Sequence, residues 1–237
     1  MTADSVGFYV LSVPGSKRCN RMKARFASES ITPTFVPVLA ETDDRLQGIT
    51  GPSAASCAFG HLDMMRAFLE SDNEYGIFCE DDIHIRRGIK DFLPELLMKF
   101  KRHGLEILLL GYLFPKQIRT LEFYYDTSFN GQYNTPIDEN IVMFRHIDRI
   151  WGSQMYMLDR KKASYFLEKY TYDYYLKSKS DTSLKPFSAD YLFTKDGVRA
   201  AIYPMMGVEE SYTISDKTQN IYHAESHTEH YSPERYV

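Results

Sequence analysis

Cysteine is scarce in this chain: Cys19, Cys57 and Cys79 are its only three. The number is odd and no two are spaced as CxxC. That excludes a disulfide framework and a thiolate zinc site, and fits a reducing compartment. Long apolar runs are missing too. Nothing approaches the ~18 consecutive apolar residues of a membrane helix, so no membrane span is expected. Residues 1–17 carry no basic region ahead of their short apolar run, which excludes a signal peptide and gives a cytoplasmic location as the expectation. There is no surplus of positive charge. The 28 Lys and Arg against 32 Asp and Glu leave a net charge of −4, which argues against a nucleic-acid binder working by phosphate neutralisation. A glycine-rich phosphate loop is also lacking; Pro14-Gly15-Ser16-Lys17-Arg18 only faintly imitates one.

What is present suffices for a core. At 237 residues with 43% apolar composition, one large domain is expected, burying roughly 70% or more of its unfolded surface. Aromatic content is high at 14%, with 18 tyrosines, supplying either core or flat binding surface. Buried strands are expected over 8–13, 75–79 and 107–111, with an edge strand over 35–39 because of Pro37. Helices are expected from Ser53, and over the Ile89, Phe92, Leu93, Leu96, Leu97, Phe100 stripe, with Pro94 in the first turn. Strands are further predicted near 154–158 and 200–203, and a helix over 160–170. This rhythm of strand and helix predicts an α/β fold with a mainly parallel sheet flanked by helices. Residues 112–150 break the rhythm and suit a hairpin or loop, and 217–237 is expected to be a polar, disordered tail.

The sharpest chemical signal is Glu80-Asp81-Asp82, directly after a buried strand. Three adjacent carboxylates repel one another unless a cation or hydrogen-bond donors meet them, and strand carboxyl ends are where ligands bind in open α/β sheets. A hard divalent ion completed by phosphate oxygens fits; a solvated turn capping the next helix is the plainer alternative. His61, beside Gly60 in the helix before that strand, suits either a ligand contact or a structural role. Trp151-Gly152-Ser153 suits a sugar or acceptor platform, or a tight turn into a strand. Asp190 precedes an apolar segment, so it fits a general base of raised pKa or a helix N-cap. His223 and His227 stand four apart, a weak metal signature without a zincin's glutamate.

Taken in order, these pieces resemble glycosyltransferase family 25, the lipooligosaccharide and collagen galactosyltransferase-type enzymes. The family's opening strand and arginine-bearing segment are matched by 8–13 and 17–25. Its G-x-x-G-C-x-x-S-H-like helix is matched by 53–61, with Gly60 in place of the serine, and its strand-borne E-D-D by Glu80-Asp81-Asp82. Its G-T-x-A-Y-like strand resembles Gly152-Ser153-Gln154-Met155-Tyr156. Its P-x-D-x-x-L element resembles the segment holding Asp190, and its closing S-D pattern resembles 211–216. The resemblance implies a GT-A type nucleotide-sugar-binding fold, with one domain over 1–216 in which 112–150 is an acceptor-side insertion. It implies a metal-dependent, inverting transfer of a hexose, with UDP-galactose or UDP-glucose as the first donor to test, to a glycan acceptor. Asp82, Glu80 and His223 would then hold Mn²⁺ or Mg²⁺. Arg21, His61, Glu80, Asp81, Trp151, Gly152 and Ser153 would line the donor site, and Asp190 would be the base. A catalytically silent carbohydrate-binding or scaffold relative, or another nucleotide-sugar-using GT-A enzyme, is the alternative.

Overall fold

Alternation along the strands decides the layers. In β1 (Val6–Ser12), Phe8 and Val10 join one core while Tyr9 and Leu11 join another. The same split separates Ile77 and Cys79 from Phe78 in β3 (Tyr75–Glu80), and Leu108 and Leu110 from Ile107 and Leu109 in β5 (Ile107–Leu113). A strand whose successive side chains are apolar on both faces must be covered on both. Helices α1 (Lys17–Ser28) and α3 (Ile89–Arg102) supply one cover, through Met22, Phe26, Leu93, Leu97 and Phe100. Helices α2 (Ser53–Glu70) and α4 (Arg160–Lys169) supply the other, through Phe59, Leu62, Met65, Phe68 and Phe166. The computed structural model describes residues 5–40, 42–47, 53–113, 135–138, 141–145, 150–210 and 218–237.

The remaining strands of the central sheet are β2 (Thr34–Pro37), β6 (Thr135–Asp138), β7 (Ile141–Arg145), β8 (Trp151–Asp159) and β9 (Arg199–Tyr203). The sheet has eight strands in the order β2-β1-β3-β8-β5-β9-β7-β6. Following the pairings across it, β2, β1, β3, β5, β9 and β6 run in one sense, with β8 and β7 opposed. The mainly parallel α/β sheet expected from the sequence is therefore present. Its antiparallel β8, wedged between β3 and β5, reverses the local direction at the centre. β6 and β7 form a hairpin at the edge beside β9. The aromatic-rich stretch at 114–134 and the resemblance over 211–216 lie outside the described residues.

Two local expectations change. α3 starts at Ile89, which puts Pro94 beyond the first turn; the buried stripe of Ile89, Leu93, Leu96, Leu97 and Phe100 outweighs the missing N–H. A disordered tail is also corrected for 218–237. That segment forms α7 (Thr218–His230), followed by a bridge between Arg86 and Tyr236. Buried Tyr236 donates to the Met205 carbonyl at 2.8 Å, and Val237 exchanges backbone bonds with Ile85 at 2.8 and 3.1 Å. These contacts cover β4 (Ile83–Ile85), which pairs antiparallel with β10 (Gly207–Glu209) in a second, two-stranded sheet. Two short helices complete the description, α5 (Tyr172–Ser178) and α6 (Ala189–Leu192).

Candidate active site

Glu80 ends β3, and the parallel β1 beside it ends at Ser12. Because β8 runs the other way, its first residues, Trp151 to Ser153, arrive at this same edge, and Ser153 meets Glu80 there. The Ser153 hydroxyl donates to Glu80 Oε1 at 3.0 Å. Gly152 has φ of +109°, a left-handed backbone conformation that favours glycine. α2 approaches from above: a Cβ on Gly60 would stand 2.6 Å from Leu11 Cδ1, so the helix packs closely on β1 and a larger residue there would have to displace the Leu11 side chain. This close approach brings the fully buried ring of His61 over the strand end. Its Nδ1 lies 2.8 Å from the Tyr156 hydroxyl and its Nε2 3.7 Å from Glu80 Oε1.

The β4–β10 pair completes the acid cluster. Glu209 pairs in register with Ile83, and the Asp82 carbonyl accepts from the Glu210 amide at 2.6 Å. Glu209 therefore stands beside Asp82. Its carboxylate is tied to His223 Nδ1 from α7 and, at 3.3 Å, accepts from Gln154. Asp81 accepts from Ser12 at 2.5 Å. Arg18 reaches Asp82 at 3.3 Å and Asp81 at 3.9 Å. Asp82 Oδ1 is buried without a hydrogen-bond partner among the described residues.

The electrostatics of two of these acids diverge. Burial pushes Glu80 upward, but His61, the Ser153 hydroxyl and His223 outweigh it and hold the carboxyl below its usual range. Asp82 has no such support. Burial, with Glu80 and Glu209 alongside, pushes it up to about 8, against a weaker pull from Arg18. Carboxyls whose environments separate their pKa values in this way mark functional sites. His223 is raised, chiefly by its bond to Glu209. Asp190 sits in the first turn of α6, after the cap residue Ser188. Its carboxyl is raised by burial and by Glu80, with His61, the Gly152 amide and Lys195 pulling the other way. On the same rim Trp151 is 36% exposed, with Tyr191 edge-on at 4.9 Å and Lys195 Nζ 3.1 Å from its ring centroid.

Most of the residues singled out in the sequence therefore converge: Glu80, Asp81, Asp82, His61, Trp151, Gly152, Ser153, Asp190 and His223. Arg21 does not join them. Its guanidinium is bonded to Glu210 at 2.9 and 2.6 Å, and Arg18, one helical turn earlier, is the arginine beside the acids. Nor do Asp82, Glu80 and His223 form one tight set of ligand atoms. Among the described residues, the group with ligand atoms all within 4.8 Å is Cys57, His61 and Glu80. Glu209 escaped sequence reasoning, while Tyr156 and Arg18 entered it only as members of longer segments and without a role at the site. The adjacent acids Glu209-Glu210 after an apolar segment were the available signal for the first. An open cavity lined by Tyr75, Lys101, Glu106, Asp159, Lys162 and Asp196 lies at the opposite end of the sheet, away from this chemistry.

A largely parallel sheet that gathers acids where its strands end defines an α/β enzyme of the ligand-at-strand-end kind. The chain belongs to glycosyltransferase family 25 (LPS biosynthesis protein), whose match spans residues 45–183. That span includes Cys57, His61, the three consecutive acids and Trp151–Ser153. No curated protein matches the sequence. Among solved structures, mouse xyloside xylosyltransferase 1 in its apo form is similar at 16% identity and a TM-score of 0.36. The alignment covers 70% of this chain and 60% of that one. No helix among the described residues is long and apolar enough to cross a membrane.

Proposed function

We propose that this chain transfers a hexose, with inversion, from a nucleotide-sugar donor to a glycan acceptor, with a divalent cation at the acid cluster. The observation that carries the proposal is Asp82 Oδ1, buried and unpartnered beside Glu80, Asp81 and Glu209. Burying acids together costs more than the half-exposed Arg18 offsets at Asp82, so these residues fit Mn²⁺ or Mg²⁺, hard ions that prefer carboxylate oxygens. Asp82 is the principal candidate to hold it, with Glu80 and the Glu209–His223 pair around it. When bound, the ion neutralises the diphosphate that leaves with the donor.

The chain's own residues divide the remaining work. Arg18, 43% exposed at the mouth, is placed to meet phosphate oxygens. Asp190 accepts the proton of the acceptor hydroxyl as that oxygen bonds to the anomeric carbon and the bond to the diphosphate breaks. Burial and Glu80 raise its pKa, which makes the carboxylate a stronger base than a solvated aspartate. Trp151, with Tyr191 beside it, offers a flat amphipathic surface to a sugar ring. UDP-galactose and UDP-glucose are the first donors to test, and a lipooligosaccharide-type glycan the first acceptor. The free thiols Cys19, Cys57 and Cys79 support a reducing, cytoplasmic setting.

The test is thermal stabilisation by a panel of nucleotide sugars, each with and without Mn²⁺. A ligand at about 100 times its Kd adds roughly 2.7 kcal/mol of stability. A shift seen only with one sugar nucleotide plus metal, and lost in Asp82→Ala, is expected. No shift with any member of the panel would overturn the proposal.

A further inference from the structure

Cys57 and His61 are four residues apart on α2, so their side chains lie on one face, one turn from each other. The fold adds Glu80 from another element, bringing a thiol sulfur, a ring nitrogen and a carboxylate oxygen within 4.8 Å of one another. The cysteine count and spacing predict no thiolate zinc site; this mixed set runs against that expectation, because its third member comes from the end of β3. The imidazole is the informative member. Its ring is wholly buried, Nδ1 is engaged by Tyr156, and Nε2 points at Glu80 from 3.7 Å with no hydrogen-bond partner among the described residues. A buried polar atom left unmatched is costly.

A hydrogen bond from Nδ1–H to the Tyr156 oxygen would leave the Nε2 lone pair aimed into the cluster, the outer-shell arrangement of histidines that bind metals. Sulfur, imidazole and carboxylate together suit a borderline-soft ion and a tetrahedral site with one position left to water. We propose that Cys57, His61 and Glu80 form a Zn²⁺ site, distinct in its donor atoms from the oxygen-rich surroundings of Asp82. Binding forms a bond from the Cys57 sulfur to zinc and releases the thiol proton to solvent. Because Glu80 belongs to both clusters, zinc at this position would withdraw it from the acid site. The inference does not depend on which sugar the enzyme moves, or on whether it moves one.

The experiment uses the full chain with Co²⁺ as a spectroscopic stand-in, and with Zn²⁺ itself. One equivalent of Co²⁺ should give a tetrahedral spectrum with a thiolate-to-cobalt charge-transfer band. Zn²⁺ should protect one thiol from alkylation, and that thiol is identified because Cys19 and Cys79 are buried while Cys57 is half-buried. Cys57→Ser should lose the band and weaken zinc by more than about 100-fold, the upper range for loss of an outer-shell partner. Asp82→Asn should retain both signals. An octahedral cobalt spectrum without the charge-transfer band in the unmodified chain would overturn the inference without recourse to any variant. Zinc affinity unchanged in Cys57→Ser would do the same.

Discussion

Asp82 sits in the folded chain at an energetic disadvantage that a cation would relieve. Its carboxyl keeps a proton to about pH 8 when folded, against a usual 3.8. Between those values the folded state binds more protons than the unfolded one, so this residue makes stability fall as pH rises. Asp82→Asn removes the titration. The metal-free variant should melt with the parent near pH 4 and above it by about 2–4 °C or more at pH 8, since each kcal/mol moves a chain of this size by about that much. A gap that stays constant with pH would contradict the raised carboxyl. Asp190 is tested differently. Asp190→Asn should leave donor-induced stabilisation intact and lower turnover by about 100- to 10,000-fold, the range for loss of a general base. Unchanged turnover in a steady-state assay would make Asp190 a structural member of α6.

Between elements, Glu210 is the tie that matters most. It follows β10 and accepts from Arg21, while Arg25 stands 2.6 Å away, so one carboxylate fastens α1 to the strand that carries Glu209. Burial pushes its pKa up, but the two arginines prevail and hold it at about 2. A carboxylate with a depressed pKa contributes stability above its usual 4.5, and that contribution is lost as pH falls toward 2. Glu210→Gln should cost about 3 kcal/mol at neutral pH, as breaking a buried pair does. Its urea-derived stability should then change less between pH 5 and 2 than the parent's; equal slopes would refute the assignment. Element by element, what was legible in the sequence follows from periodicity. β3 and α3 stood out because burial on both faces, or on one stripe, writes a pattern into consecutive residues. β10 has three residues, too few to write one, and so Glu209 was not foreseen. Histidine contacts to Glu209 help attach α7: Nδ1 of His223 meets the carboxylate, and His227 meets the carbonyl at 2.8 Å. The antiparallel setting of β8 is a pairing choice, which no single strand's residues disclose. Yet the residues it delivers, Trp151 to Ser153, were already conspicuous in composition.

At the scale of the whole molecule, residues 218–237 cross from the far end of the sequence to cover β4 and complete the acid cluster through His223. Deleting 218–237 should lower the melting temperature and abolish metal-dependent stabilisation by the donor. A truncated chain that still responds to nucleotide sugar plus Mn²⁺ would place α7 outside the site. The β4–β10 pairing also has a meaning in time. During synthesis the three acids at 80–82 leave the ribosome well before the partners that settle them, since Glu209 and His223 are made more than a hundred residues later. At about 5–20 residues per second, that interval lasts several seconds or more. Over that period the nascent chain carries an acidic turn with neither its companion strand nor its histidine. The acid cluster is therefore completed only after most of the sheet has been made, when β10 and α7 join β3 and β4.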